Sequence, residues 1–193
     1  MPFPYYQSLS SKKKAIYDKS DKISEIKLKT SRPPSKIISK LKQALKTNNR
    51  KQVENWAGIL CNFVCEDQNI AKVMLKVRQT RPSGENHELH GLYEWEEGRA
   101  AQITVWMKTA KNKQIVAYKS FLRTILHELC HHIDFAHHKL PESFHTLGFF
   151  RRESSLFKQL AAEEEPKPAT VKTKKTRVKK PKTRQMNLPL KQV

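Results

Sequence analysis

Two periods of apolar residues alternate along this chain, and each change of period marks an element. Ile37, Ile38, Leu41, Ala44 and Leu45 recur at helical spacing behind Pro33-Pro34-Ser35, which reads as a helix start. Their stripe is read as core or as a lid over a cleft. A second helix is predicted from Gln52 to Glu66, where Trp56, Ile59, Leu60 and Phe63 share an apolar stretch with Cys61 and Cys65. Both cysteines read as core residues. At Ala101 to Lys108 the period shortens to two. Ile103, Val105 and Met107 point one way, Gln102, Thr104 and Trp106 the other, as in a half-buried strand. Helical spacing returns from Phe121 to Phe135, with Ser120 as N-cap and Phe121, Leu122, Ile125, Leu129 and Ile133 as a core-facing stripe.

That last helix carries His127-Glu128-Leu129-Cys130-His131, an H-E-x-x-H pattern set off the apolar stripe. Residues four apart are neighbours on one helix face. Two imidazoles so placed can reach one Zn²⁺, at about 2.0–2.1 Å per bond. Glu128 points to the adjacent side, where it can take a proton from an activated water. A catalytic zinc needs a third protein ligand and one open position. Downstream candidates are His132, His137, His138 and His145. His132 lies about 100° further round the helix and faces elsewhere. His87-Glu88-Leu89-His90 has its histidines three apart between Gly84 and Gly91, and reads as a loop or the start of a strand.

His145 is followed four and five residues later by the aromatic pair Phe149-Phe150. H-E-x-x-H, a variable connection, then a histidine with such a pair resembles the SprT-like zinc metallopeptidases. His137 stands at a family-like distance from His131 but has no aromatic pair at that offset. The resemblance covers residues 72 to 160, including a following helix from Thr146 to Leu160. It implies an α+β fold, a minimal zincin-like core in which a small twisted sheet packs on helices. It also implies zinc bound by His127, His131 and His145, with Glu128 as general base. A strand preceding the metal helix suits a peptidase, because its edge can pair with an extended substrate. By resemblance the substrates are proteins bound or crosslinked to DNA. Two departures stand out: there is no Cys-rich zinc ribbon, and extra histidines and a proline occupy the connection. Two other readings compete. One is a non-catalytic DNA- or clamp-binding module with a structural zinc. The other is a zinc hydrolase acting on nucleic acid. Glu128 favours the peptidase, since a structural site has no use for that carboxylate.

Charge divides the chain further. Residues 1–55 hold 14 Lys and Arg against 4 Asp and Glu, a net +10; residues 56–165 hold 14 of each; residues 166–193 hold 10 basic and no acidic residues. The formal +20 is therefore carried by the two ends. Residues 1–34 are expected to form a basic flexible arm, 35–162 the zincin domain and 163–193 a disordered basic tail. Such arms are drawn to polyanions, DNA first, with RNA and acidic lipid as alternatives of the same charge chemistry. Tyr5, Tyr6 and Tyr17, near Lys12 to Lys14, add a weak base-stacking signal. At the far end Gln185-Met186-Asn187-Leu188-Pro189-Leu190 follows nine basic residues between 166 and 184. Gln185, Met186, Leu188 and Leu190 resemble the peptides by which bacterial proteins dock on the replicative sliding clamp. No apolar run approaches 18 residues, so no membrane span is expected. The N-terminus lacks a basic-then-apolar leader, and three cysteines cannot make a paired framework. The expected location is cytoplasmic, with the nucleoid if the source is bacterial.

Overall fold

The stripes behind Ser35 and Gln52 become the helical hairpin of an α+β fold, in a computed structural model that describes residues 3–30, 34–82, 84 and 88–161. In chain order the elements are a 3-10 turn (Pro4–Ser8), α1 (Ser11–Lys22), α2 (Ser35–Lys46), α3 (Arg50–Asp67), β1 (Met74–Thr80), β2 (Gly91–Glu94), β3 (Gln102–Lys108), α4 (Tyr118–Ala136) and α5 (Leu147–Ala161). The α2–α3 turn is tight because Asn48 adopts a left-handed backbone (φ 53°) and the Asn49 side chain accepts the Gln52 N–H at 3.2 Å. Ile38, Leu41, Ala44 and Leu45 are buried, as are Val53, Ala57, Leu60, Cys61, Val64 and Cys65 opposite them. The α2 stripe is core. Cys61 and Cys65 are free, and burial pushes both thiols up, Cys65 to about 11, so they act as small apolar residues.

The sheet has order β1-β3-β2, with β1 parallel and β2 antiparallel to β3. This corrects the half-buried alternation expected of β3, whose residues Ile103 to Met107 are all buried. β3 is the central strand. Thr104 lies between Lys76 and Leu92 of its two neighbours, so its second face is covered by flanking side chains. Alternation survives only in β1 and β2. It also corrects the role expected of β3 as a pairing edge, since both its sides are taken. Of the two real edges, β1 is stoppered by α3: Glu54 accepts the Val77 N–H at 2.8 Å and Arg50 donates to the Val77 carbonyl at 3.0 Å.

α4 crosses β2 and β3 and supplies Phe121, Leu122, Ile125, Leu126, Leu129, Cys130 and Ile133 to the core. Burying each large aliphatic or aromatic side chain contributes about 1.5–3 kcal/mol. The helix starts earlier than expected, at Tyr118, because Ala117 holds the N-cap position; Ser120 lies inside the first turn.

The N-terminal segment is not a flexible arm within its described residues. Tyr17, Ser20 and Ile26 are buried, and α1 packs on α5. What the charge count could not reveal is that this basic stretch carries its own apolar anchors. Tyr17 is 1% exposed, so it is not offered to bases. Among the described residues, no helix is long and apolar enough to cross a membrane.

Candidate metal centre

One turn of α4 sets His127 and His131 on a common face, their ring centroids 5.1 Å apart. The helix then ends at His137, Leu140 N–H closes on the Asp134 carbonyl at 3.0 Å, and Lys139 takes a left-handed backbone (φ 53°). That reversal sends the chain back along the helix it has just left. It arrives at His145, where the Thr146 hydroxyl accepts the Phe149 N–H at 2.9 Å and starts α5. His145 is therefore held between a returning connection and a capped helix start.

His127, His131 and His145 converge, with one ligand atom of each within 4.8 Å of the others, so the group could hold a metal ion. His145 Nε2 lies 3.0 Å from His127 Nε2 and 3.1 Å from His131 Nε2. Tetrahedral ligation at the Zn–N length would space such atoms by about 3.3 Å, close to these two separations. The outer nitrogens are already committed. His127 Nδ1 donates to Glu153 Oε2 at 3.0 Å, and His131 Nδ1 to Ser143 Oγ at 2.8 Å. These two rings thus carry their protons on Nδ1 and leave their Nε2 lone pairs free on the side of His145, a donor set that could hold a cation. His137 and His138 stay at the end of α4, outside the group; His132 turns to the Ala71 carbonyl (2.8 Å) and the Tyr93 hydroxyl (3.1 Å).

The partners behind the histidines form two chains. Glu153 is also bound by Arg123 at 2.7 Å. Burial raises its carboxyl, but the bonds from His127 and Arg123 outweigh that and hold it below the usual range. Ser143 donates to Asp134 Oδ2 at 2.8 Å, and Asp134 is gripped by Arg152 at 2.9 and 3.0 Å, both charged side chains fully buried. Burial, reinforced by His127 and His145, pushes His131 down to about 3, so it is the neutral imidazole that ligation requires.

Glu128 borders the same space. Its carboxylate accepts the Tyr93 N–H of β2 and lies against Gly91, where any Cβ would collide with it. Only glycine leaves that carboxylate room. Burial pushes Glu128 up to about 7, against the pull of His127 and Tyr93. Beyond it opens a cleft of about 680 Å³, lined among others by His90, Gly91, Ser120, Arg123, His127 and Glu128. β2, the other edge strand, borders this cleft through Gly91.

Sequence reasoning found the three histidines and Glu128 but missed Glu153, Ser143, Asp134, Arg152 and Gly91. A signal existed for two of them. Arg152 falls in register with Phe149, Leu156 and Leu160, and Asp134 with Leu126 and Cys130, so each is a charge on a buried stripe. Gln185, Met186, Leu188 and Leu190 lie outside the described residues. Neither family models, nor curated proteins, nor solved structures yield a match to this chain.

Proposed function

We propose that this chain is a zinc-dependent peptidase of SprT-like type that acts near DNA. The observation that carries the reading is the convergence of three imidazole nitrogens beside a cleft that also holds Glu128. Three protein ligands would leave a fourth position to water or substrate, as a catalytic zinc needs, whereas a structural zinc is held by four protein ligands. Zinc held by His127, His131 and His145 supplies Lewis acidity toward a water nucleophile and toward the scissile carbonyl. Glu128 receives the water proton on its carboxylate and passes it to the leaving amine. The Tyr93 N–H fixes that carboxylate, and Gly91 gives it space. The part of the β2 edge that borders the cleft, apart from the Tyr93 N–H held by Glu128, would supply the pairing edge for an extended peptide that β3 lacks.

The substrates we propose are proteins bound or crosslinked to DNA. Support comes from charge alone: residues 166–193 carry 10 basic and no acidic groups. Residues 185–190 are proposed to dock on a sliding clamp, with the basic stretch before them supplying reach. Purified wild type and Glu128→Gln decide the peptidase reading. The variant is expected to keep its zinc and its fold and to lose cleavage of DNA-bound protein by at least about a hundredfold, the scale of general-base loss. Equal cleavage by both proteins sinks the assignment.

A further inference from the structure

We propose that the N-terminal segment from Phe3 to Lys22 is a working part of the metal centre, because it fixes the connection that carries His145. The inference rests on the metal-binding half of the reading above, not on peptidase activity.

The contacts are direct. The Tyr5 hydroxyl donates to the backbone carbonyl of His145 at 2.8 Å, across 140 residues of sequence. Phe3 packs edge-on against Phe150 at 5.9 Å, and Phe150 stacks on the His145 ring at 5.8 Å. Tyr17 sits behind both. Its hydroxyl accepts the Phe3 N–H at 3.1 Å, and its ring meets Tyr5 at 5.9 Å and Phe144 at 6.1 Å. The residue before His145 and the ring beyond it are thus both held by the N-terminal aromatics.

Further along, α1 grips the start of α5. Asp21 accepts the Gly148 N–H at 2.8 Å, and a Cβ on Gly148 would collide with the Asp21 carbonyl, so the two backbones touch. Arg152 donates to the carbonyls of Ser20 and Ile23 with the same guanidinium that holds Asp134. Asp134 accepts from Ser143, which accepts from His131. The segment therefore reaches two of the three ligands, His145 through Tyr5 and Phe150, His131 through Arg152.

The need for such a clamp follows from where His145 lies. His127 and His131 are positioned by their own helix. His145 sits on a connection without regular structure between α4 and α5. A ligand on such a segment pays ordering entropy on binding unless other contacts have ordered it already. The aromatic turn and α1 provide those contacts.

Tyr5 and Phe3 are thus positioning residues, and the test reads metal binding rather than cleavage. Zinc affinity is measured by competition with a chromophoric chelator. Ligand geometry is followed by the visible absorption of the Co²⁺-substituted protein. Thermal unfolding of the metal-free protein is the control for fold. Tyr5→Phe, which removes one hydrogen bond, is expected to weaken zinc binding about fivefold. Phe3→Ala with Tyr5→Ala is expected to weaken it by about ten- to a hundredfold, the range for loss of a ligand's supporting partner. The Co²⁺ spectrum should shift in the double variant while metal-free unfolding changes little. Tyr6→Phe serves as the neighbour control, since Tyr6 bonds Asp18 on α1 and touches no ligand. Zinc affinity and Co²⁺ spectrum unchanged in the double variant overturn the proposal, as does an equal loss in Tyr6→Phe. A wild type that binds no stoichiometric zinc overturns the metal centre itself. A wild type that binds zinc and cleaves nothing removes only the peptidase reading.

Discussion

Asp134→Asn is the substitution whose consequence the structure defines most closely. Arg152 and Asp134 are both fully buried, and the guanidinium meets both carboxylate oxygens at 2.9 and 3.0 Å. Asparagine keeps the shape and one accepting oxygen but removes the charge. The guanidinium then stays buried among neutral partners alone, the carbonyls of Ser20 and Ile23, the Ser20 hydroxyl and the one oxygen left at position 134. Two unit charges about 4 Å apart attract by about 4 kcal/mol at the effective dielectric of protein sites. Breaking a buried pair from one side costs about 3–5 kcal/mol in measured cases. For a fold of this size, that lowers the melting temperature by roughly 6–20 °C. Urea unfolding of the metal-free variant, followed by circular dichroism, measures it; a loss below about 1 kcal/mol refutes the reasoning. Burial raises the Asp134 carboxyl despite Arg152 beside it, the sign expected where desolvation outweighs attraction. The mutual attraction of the pair is therefore largely offset by its burial. Asp134→Leu combined with Arg152→Met should recover part of the loss but not all of it, because the Ser20 and Ile23 carbonyls lose their buried donor. Zinc affinity should stay reduced in that double variant, because Ser143 has lost the carboxylate that orients it toward His131.

Three further outcomes are expected. His145→Ala should lose stoichiometric zinc by elemental analysis while His137→Ala retains it, since only His145 joins the converging group. Gly91→Ala should reproduce the defect of Glu128→Gln with zinc and fold retained, because the added methyl displaces the Glu128 carboxylate; a cleavage rate within about threefold of wild type contradicts this. Removing residues 166–193 deletes ten positive charges and should lower both DNA affinity and the slope of log affinity against log salt, with zinc content unchanged. Gln185→Ala with Leu188→Ala keeps every charge and should spare DNA binding while abolishing sliding-clamp capture in a pull-down of purified proteins.

The sequence alone determined the parts of this protein that depend on near neighbours. The α2, α3 and α4 stripes were legible because a helix buries residues three and four apart whatever it packs against. His127 and His131 share a face for the same reason, since the i,i+4 geometry belongs to the helix itself. Everything decided between distant segments needed the tertiary structure. β3 alternates in sequence like a half-exposed strand, yet β1 and β2 flank it and cover its second face, so neither of its sides is an edge. Lysines made residues 1–34 look like an arm, while Tyr17, Ser20 and Ile26, scattered among them, bury against elements more than a hundred residues away. The third histidine of the group follows the same logic. No local rule brings His145 to His131; the left-handed turn at Lys139, the Ser143–Asp134–Arg152 chain and the Tyr5 hydroxyl do so together. Those contacts join groups 9 to 140 positions apart in the chain, and no repeating period relates them, so only folding could reveal the partners.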